Sequence, residues 1–271
     1  MTEDISCMTT RMSRRALLVG LLGLETTPLL LANDAPRVVR VGFLRAYEPF
    51  SHIDGQGRLH GFDVDVMRRL CELTGWHMEA VSDNLSGLTR RLQAGEIDCL
   101  GNQLLMTTEN RRQMDFVRPA YASIQLSAIQ HEDDDRDFLS LDELQGKRLG
   151  VLANSGVEEQ ARGVLGRTVR AYEHIHDALH DLAERKLDLV LEENLIADYY
   201  IDKHSLPLRV AAPFAAPIAV GLGVRKGDRE RRETLSRAIR QILQDGSFKP
   251  ISEKWFGYDV SRSRTSHSRE P

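Results

Sequence analysis

From Val38 to Gln244, short β-branched and apolar runs alternate with runs whose apolar residues recur every three or four positions. That alternation predicts strands and helices in turn, the pattern of an α/β protein. Val38–Phe43 (VVRVGF), His77–Val81 and Ile97–Gly101 (IDCLG) predict strands. Between them, Phe62–Leu73 sets Val66, Leu70 and Leu73 on one helical face before Gly75, and Leu85–Ala94 predicts a shorter helix closed by Gly95. Asp54-Gly55-Gln56-Gly57 has turn chemistry, because its glycines allow positive φ. Met114–Pro119 opens an extended stretch that continues to Ile129.

A second unit follows the acidic loop Glu132–Asp135. It predicts a helical turn at Leu141–Leu144, then strands at Arg148–Leu152, Thr168–Tyr172 and Leu187–Leu191 (LDLVL). Helices at Gly156–Leu165 and Asp177–Glu184 separate them. Leu208–Val210 and Ile218–Val224 are further strands. Arg229–Gln244 is a long helix with Leu235, Ile239, Ile242 and Leu243 inward. Two such units imply two α/β lobes with mostly parallel sheets: lobe 1 over residues 36–121, lobe 2 over 122–212 and a return to lobe 1 over 213–259. Ligands of these sheets bind beyond the carboxyl ends of the strands, which places the site in the cleft between lobes. Residues 260–271 (VSRSRTSHSREP) are almost devoid of apolar content and predict a disordered tail.

The first 35 residues have the composition of an export signal. Arg11, Arg14 and Arg15 precede the apolar stretch Ala16–Leu24, which falls short of the about 20 residues a spanning helix needs. Ser13-Arg14-Arg15-Ala16-Leu17-Leu18 resembles a twin-arginine signal, and Ala32 is a small residue suited to cleavage. These features predict a bacterial periplasmic protein. Its 36 Lys+Arg against 40 Asp+Glu give a net charge of -4, without the basic surplus that nucleic-acid binding needs. Three cysteines cannot form a disulfide scaffold, and Cys71 and Cys99 are expected as buried free thiols.

Six segments in order resemble the bacterial extracellular solute-binding proteins, family 3. They are Tyr47-Glu48-Pro49-Phe50 with Gly57–Asp65; Leu92–Asp98 (LQAGEID); Asp115–Tyr121 (DFVRPAY); Leu144–Val151 (LQGKRLGV); Asp245-Gly246-Ser247-Phe248; and Lys254-Trp255-Phe256-Gly257. The resemblance implies the type II periplasmic binding protein fold. Its two lobes would be joined by crossovers near Tyr121–Ile129 and Leu208–Ile218, with a hinged cleft that closes on a small polar ligand for an ABC-type membrane permease. An amino acid or a derivative is the ligand the family suggests, and a monomer without cofactor, metal or catalytic residues is expected.

The implied pocket departs from the family pattern. Members usually clamp the ligand's α-carboxylate with an arginine in a T-x-E-R motif, by a bidentate guanidinium pair beside helix N–H groups. Here the segment is Thr107-Thr108-Glu109-Asn110-Arg111, which puts Asn110 at the arginine position and Arg111 one residue late, so either could face the cleft. The positions where the family strand after I-D brings Ser or Thr hydroxyls to the ligand match Asn102, Gln103 and Leu105, and the acid early in lobe 1 matches Leu44. Glu193 matches the lobe-2 acid that meets the α-ammonium, Tyr47 the ring over the ligand, and Ser155 the loop whose N–H groups meet the carboxylate. As alternatives, Tyr47 is a core ring, Ser155 a bare N-cap, Glu193 a surface acid and Arg111 a solvated charge.

His174, His176 and His180 share a spacing that invites a metal, but no first shell is completed, and they fit a solvated helix. Two rival functions carry the same fold: a binding or sensor protein without transport, and a periplasmic dehydratase of cyclohexadienyl or arogenate type. The dehydratase would need a proton donor such as Glu192 or Glu193 together with a carboxylate-binding arginine.

Overall fold

A computed structural model describes residues 37–138, 140–214 and 216–262. The export-like segment 1–35 and residues 263–271 of the expected tail lie outside them. Lobe 1 begins with β1 (Val38–Leu44), followed by a small three-stranded sheet of β2 (Ala46–Tyr47), β3 (Ser51–Ile53) and β4 (Leu59–His60). The chain continues through α1 (Phe62–Thr74), β5 (His77–Asp83), α2 (Leu85–Ala94), β6 (Cys99–Leu105), α3 (Thr108–Gln113), β7 (Met114–Phe116) and β8 (Ala122–Ile124). The second sheet is built from β9 (Leu126–His131), a 3-10 turn at Leu141–Leu144, β10 (Leu149–Leu152), α4 (Gly156–Leu165), β11 (Val169–Tyr172), α5 (Ile175–Ala183), β12 (Leu189–Glu193), α6 (Asn194–His204) and β13 (Leu208–Pro213). The chain then returns as β14 (Ile218–Arg225), α7 (Arg229–Gln244) and α8 (Phe248–Phe256).

The fold is the expected two-lobed α/β one, but each sheet is mixed rather than mostly parallel. The first has the order β5-β1-β6-β14-β7, with β8 also on β14; the second is β11-β10-β12-β9-β13. Pairing is parallel where helices connect the strands, in β5-β1-β6 and in β11-β10-β12. The remaining pairs are antiparallel. The reason lies in the crossing. β8 and β9 are nearly continuous and pass from one sheet to the other at Gln125, while β13 and β14 bring the chain back. One run goes out and the other returns, so β8 meets β14 and β9 meets β13 in opposite senses.

Side-chain alternation divides each sheet between two cores. In β6, Cys99 faces the cluster covered by α1, α7 and α8, with Phe43, Phe62, Ile239 and Phe256. Leu100 and Leu104 face the α2 side with Leu88, Leu92 and Phe116. Gly61 opens α1 at φ 144°, where a Cβ would stand 2.0 Å from the Phe50 carbonyl oxygen. That close approach lets the Phe62 and Asp63 N–H groups donate to Pro49 and Phe50 at 2.9 and 3.0 Å, which ties the Tyr47 loop to the helix start. Asp98, from the LQAGEID turn, pairs with Arg40 at 3.2 Å and Arg231 at 2.8 Å, fastening β6 to β1 and α7.

Cys71 and Cys99 are free and buried. Burial pushes the Cys71 thiol up to about 11 and raises that of Cys99 as well. Val260, the first residue of the expected tail, is buried in the lobe-1 core, and its N–H donates to Ser252 Oγ at 2.9 Å. An isolated apolar residue at the edge of a polar stretch gains by folding back onto α8. Among the described residues, no helix is long and apolar enough to cross a membrane.

Candidate functional site

Tyr47 follows β1 on the short β2 strand and stands over Phe50, with ring centroids 4.9 Å apart. Its loop is braced from below. Asn102 accepts from the Leu44 N–H at 2.8 Å and donates to Ser51 Oγ at 2.7 Å, while Ser51 donates to the Leu44 carbonyl at 2.8 Å. Asn102 is thus occupied in holding the end of β1 against β3. The Tyr47 phenol faces lobe 2, close enough to the Glu193 carboxylate at the end of β12 for each to act on the other electrostatically. Burial raises Tyr47 well above the usual tyrosine range, and Glu193, Asp63 and Glu192 act in the same direction.

Two adjacent carboxyls close β12. Glu193 is raised by burial, and its Oε2 has no hydrogen-bond partner. Glu192 is only 8 % exposed, and burial, with Glu193 adding to it, pushes it up to about 8. One Glu192 oxygen accepts the Glu193 N–H at 2.7 Å. Directly across the strand pair from Glu192 stands Ser127, whose buried hydroxyl is also unpartnered. On the lobe-1 side, Asp63 lies fully buried at the start of α1, accepts from Tyr121 Oη at 2.7 Å, and is raised well above the carboxylate range by burial.

The alternation of β6 puts Gln103 and Leu105 on the face that Tyr47 covers. Gln103 is 5 % exposed, its backbone N–H lies against Asp63, and neither atom of its side-chain amide has a partner. Asn110 does not form a clamp by itself: its amide donates to the Leu105 carbonyl at 2.9 Å, and its N–H is capped by Thr107. Arg111 faces elsewhere. Its Nε donates to the Met106 carbonyl at 3.0 Å, and its guanidinium lies over the Phe116 ring at 5.5 Å, on the α2 side of the sheet. The aromatic face and the backbone carbonyl outcompete the cleft for this side chain.

Ser155 is the N-cap of α4. Its Oγ accepts from the Glu158 N–H at 3.1 Å and donates to the Leu152 carbonyl at 2.7 Å. Glu158 reaches back to the Asn154 N–H at 2.7 Å, a variant of the capping box that fills this helix start with the chain's own carboxylate. Beyond Glu193's cross-strand neighbour Leu126, an apolar cavity of about 270 Å³ opens between α4 and the sheet, lined by Val157, Leu191 and Phe214 among others. No group of metal-ligating side chains occurs among the described residues. The three histidines sit on α5 or just before it, with His174 and His176 stacked 5.4 Å apart and His180 edge-on to His204.

The sequence model of the bacterial extracellular solute-binding proteins, family 3, matches residues 39–258. The chain belongs to this family. Among its relatives are the L-arginine-binding protein of Pseudomonas aeruginosa, 30% identical over 91% of this chain and 98% of that one, and the L-cystine-binding protein TcyJ of Escherichia coli, 29% identical over 82% and 84%. In solved structures, the L-cystine solute receptor of Neisseria gonorrhoeae in its unliganded open conformation superposes with a TM-score of 0.71. It is 25% identical, covering 85% of this chain and 97% of that one. The protein is a solute-binding protein of this family. Within that frame the structure brings together Tyr47, Gln103, Leu105 and Glu193, and it engages Asn102, Asn110, Arg111 and Ser155 in internal bonds. Asp63 joins the site although the sequence did not point to it, and Glu192 joins it from outside the expected ligand-binding residues. Glu192 was singled out in the sequence only as a proton donor for the rival dehydratase, and Asp63 was recognisable only as the first acid of the FDVD helix start.

Proposed function

We propose that the protein captures a small polar metabolite, an amino acid or a derivative, between Tyr47 and Glu193 in the periplasm and passes it to an ABC-type permease. The observation that carries this reading is the meeting of a lobe-1 phenol and a lobe-2 carboxylate, with buried Gln103 and Glu193 polar atoms left unpartnered beside them. Such groups cost free energy until a ligand satisfies them, so the site favours a closed, occupied state. The protein works as a monomer, binding its ligand without altering it. A thermal-shift screen of amino acids, opines, polyamines and small carboxylic acids on protein refolded free of ligand tests this. A true ligand at 100 times its Kd should add about 2.7 kcal/mol of stability. Silence across the whole screen would count against the solute-binding role. A bound compound recovered chemically changed would instead favour an enzyme.

A further inference from the structure

Around Tyr47 and Glu193, the groups that would hold an anion are committed elsewhere. Arg111 is bound to the Met106 carbonyl and the Phe116 face. The start of α4 is capped by Ser155 and by Glu158. Among the described residues, no arginine, lysine or histidine bears on Glu192, Glu193 or Asp63. What remains is rich in acceptors: the Glu193 carboxylate with a free oxygen, and the buried Gln103 amide, 5 % exposed and on the face that Tyr47 covers; Glu192, next in the strand, points to the opposite face with its neighbour Ser127 and adds its charge from there. A half-buried Glu193 carboxylate, with buried Glu192 next to it and no counter-charge, is complementary to a ligand that brings the positive charge and the N–H donors itself.

We propose that the ligand is a small organic cation, bearing an ammonium or guanidinium group that sits on Glu193 with Glu192 reinforcing the charge, and that the site has no clamp for a carboxylate. Gln103 supplies a neutral donor and acceptor to a polar part of the same molecule. This inference rests on the reading of the cleft as a solute site and narrows its ligand class.

The test uses matched pairs that differ only in the carboxylate: ornithine and putrescine, arginine and agmatine, histidine and histamine. Each is titrated by calorimetry into the whole protein at pH 7.5 after refolding without ligand. The expected result is that in at least one pair the decarboxylated member binds within threefold of its parent amino acid, or more tightly. Glu193→Gln should weaken that binding at least 30-fold while ligand-free unfolding stays cooperative. An amino acid that binds more than threefold better than its amine overturns the inference and leaves the solute-binding role standing, as does binding of an amine-free carboxylic acid. Unchanged affinity in Glu193→Gln also overturns it. If no compound of any class binds, the inference falls together with the reading of the cleft.

Discussion

Glu192→Gln should make the ligand-free protein more stable, and increasingly so as pH rises. Glu192 is 8 % exposed, and burial beside Glu193 pushes it up to about 8 from an ordinary 4.5. A carboxyl raised in the folded state contributes stability that is complete below 4.5 and is lost as pH climbs toward about 8. Over that window the unfolded chain is ionised, and folding must take up a proton at about 1.4 kcal/mol per pH unit. At pH 7 the accumulated loss is roughly 3 kcal/mol. Glutamine carries no charge in either state, keeps a carbonyl for the Glu193 N–H now held at 2.7 Å, and adds a donor near the unpartnered Ser127 hydroxyl. For a domain of this size the gain corresponds to a rise in Tm of roughly 5–10 °C at pH 7 and almost none at pH 4. Calorimetric unfolding of both proteins at pH 4, 6, 7 and 8 measures it. A stability difference that stays flat with pH, or a variant less stable at pH 8, would refute the reasoning, because either result means that Glu192 is ionised in the folded protein.

Binding of an amine should tighten as pH rises from 6 to 8 and release protons, since burial pushes Glu192 up to about 8 and raises Glu193 in the same direction, and a cation favours the ionised form of both. Tyr47 faces them from lobe 1 with Asp63 next to it; both are raised, so they stay neutral and add no competing negative charge. Calorimetry in buffers of different ionisation enthalpy counts the protons, and affinity independent of pH would contradict this. Asn102→Ala should cost about 1–3 kcal/mol in urea unfolding, because it strips the Leu44 N–H and the buried Ser51 hydroxyl of a partner. A cost below 0.5 kcal/mol, on the order of an exposed substitution, would mean that the brace carries no strain. Gly61→Ala should unfold the Tyr47 loop or the chain, since its Cβ would meet backbone at 2.0 Å; near-normal stability would contradict the close approach. Cys71 and Cys99 should resist a thiol reagent in the native protein and react only on unfolding, with rapid native labelling as the contrary outcome.

Much of the architecture was legible because strands and helices with one buried face leave a periodic trace. β1, α1, β12 and α7 carry that trace plainly. α6 does not, and for a physical reason: Leu195 packs into the lobe-1 core while Ala197 and Ile201 pack into lobe 2. Its other faces also bond to lobe 1, with Tyr199 Oη and Lys203 Nζ on Glu48 at 2.6 and 2.7 Å. A helix gripped from several sides shows no single apolar stripe. The small β2–β4 sheet was illegible as well, because strands of two or three residues are too short for any period to register.

The sequence by itself determined the family, the two α/β units and the point that the expected arginine had been displaced by one residue at Asn110 and Arg111. Only the structure decided where Arg111 goes: the Phe116 ring and the Met106 carbonyl, each five residues away in the chain, come within its reach through the turn of α3 between β6 and β7. It also decided that Glu192 is buried and Glu193 half-buried, with no basic side chain bearing on either among the described residues. Burial and the absence of a neighbouring cation are properties of packing, and linear spacing does not encode them.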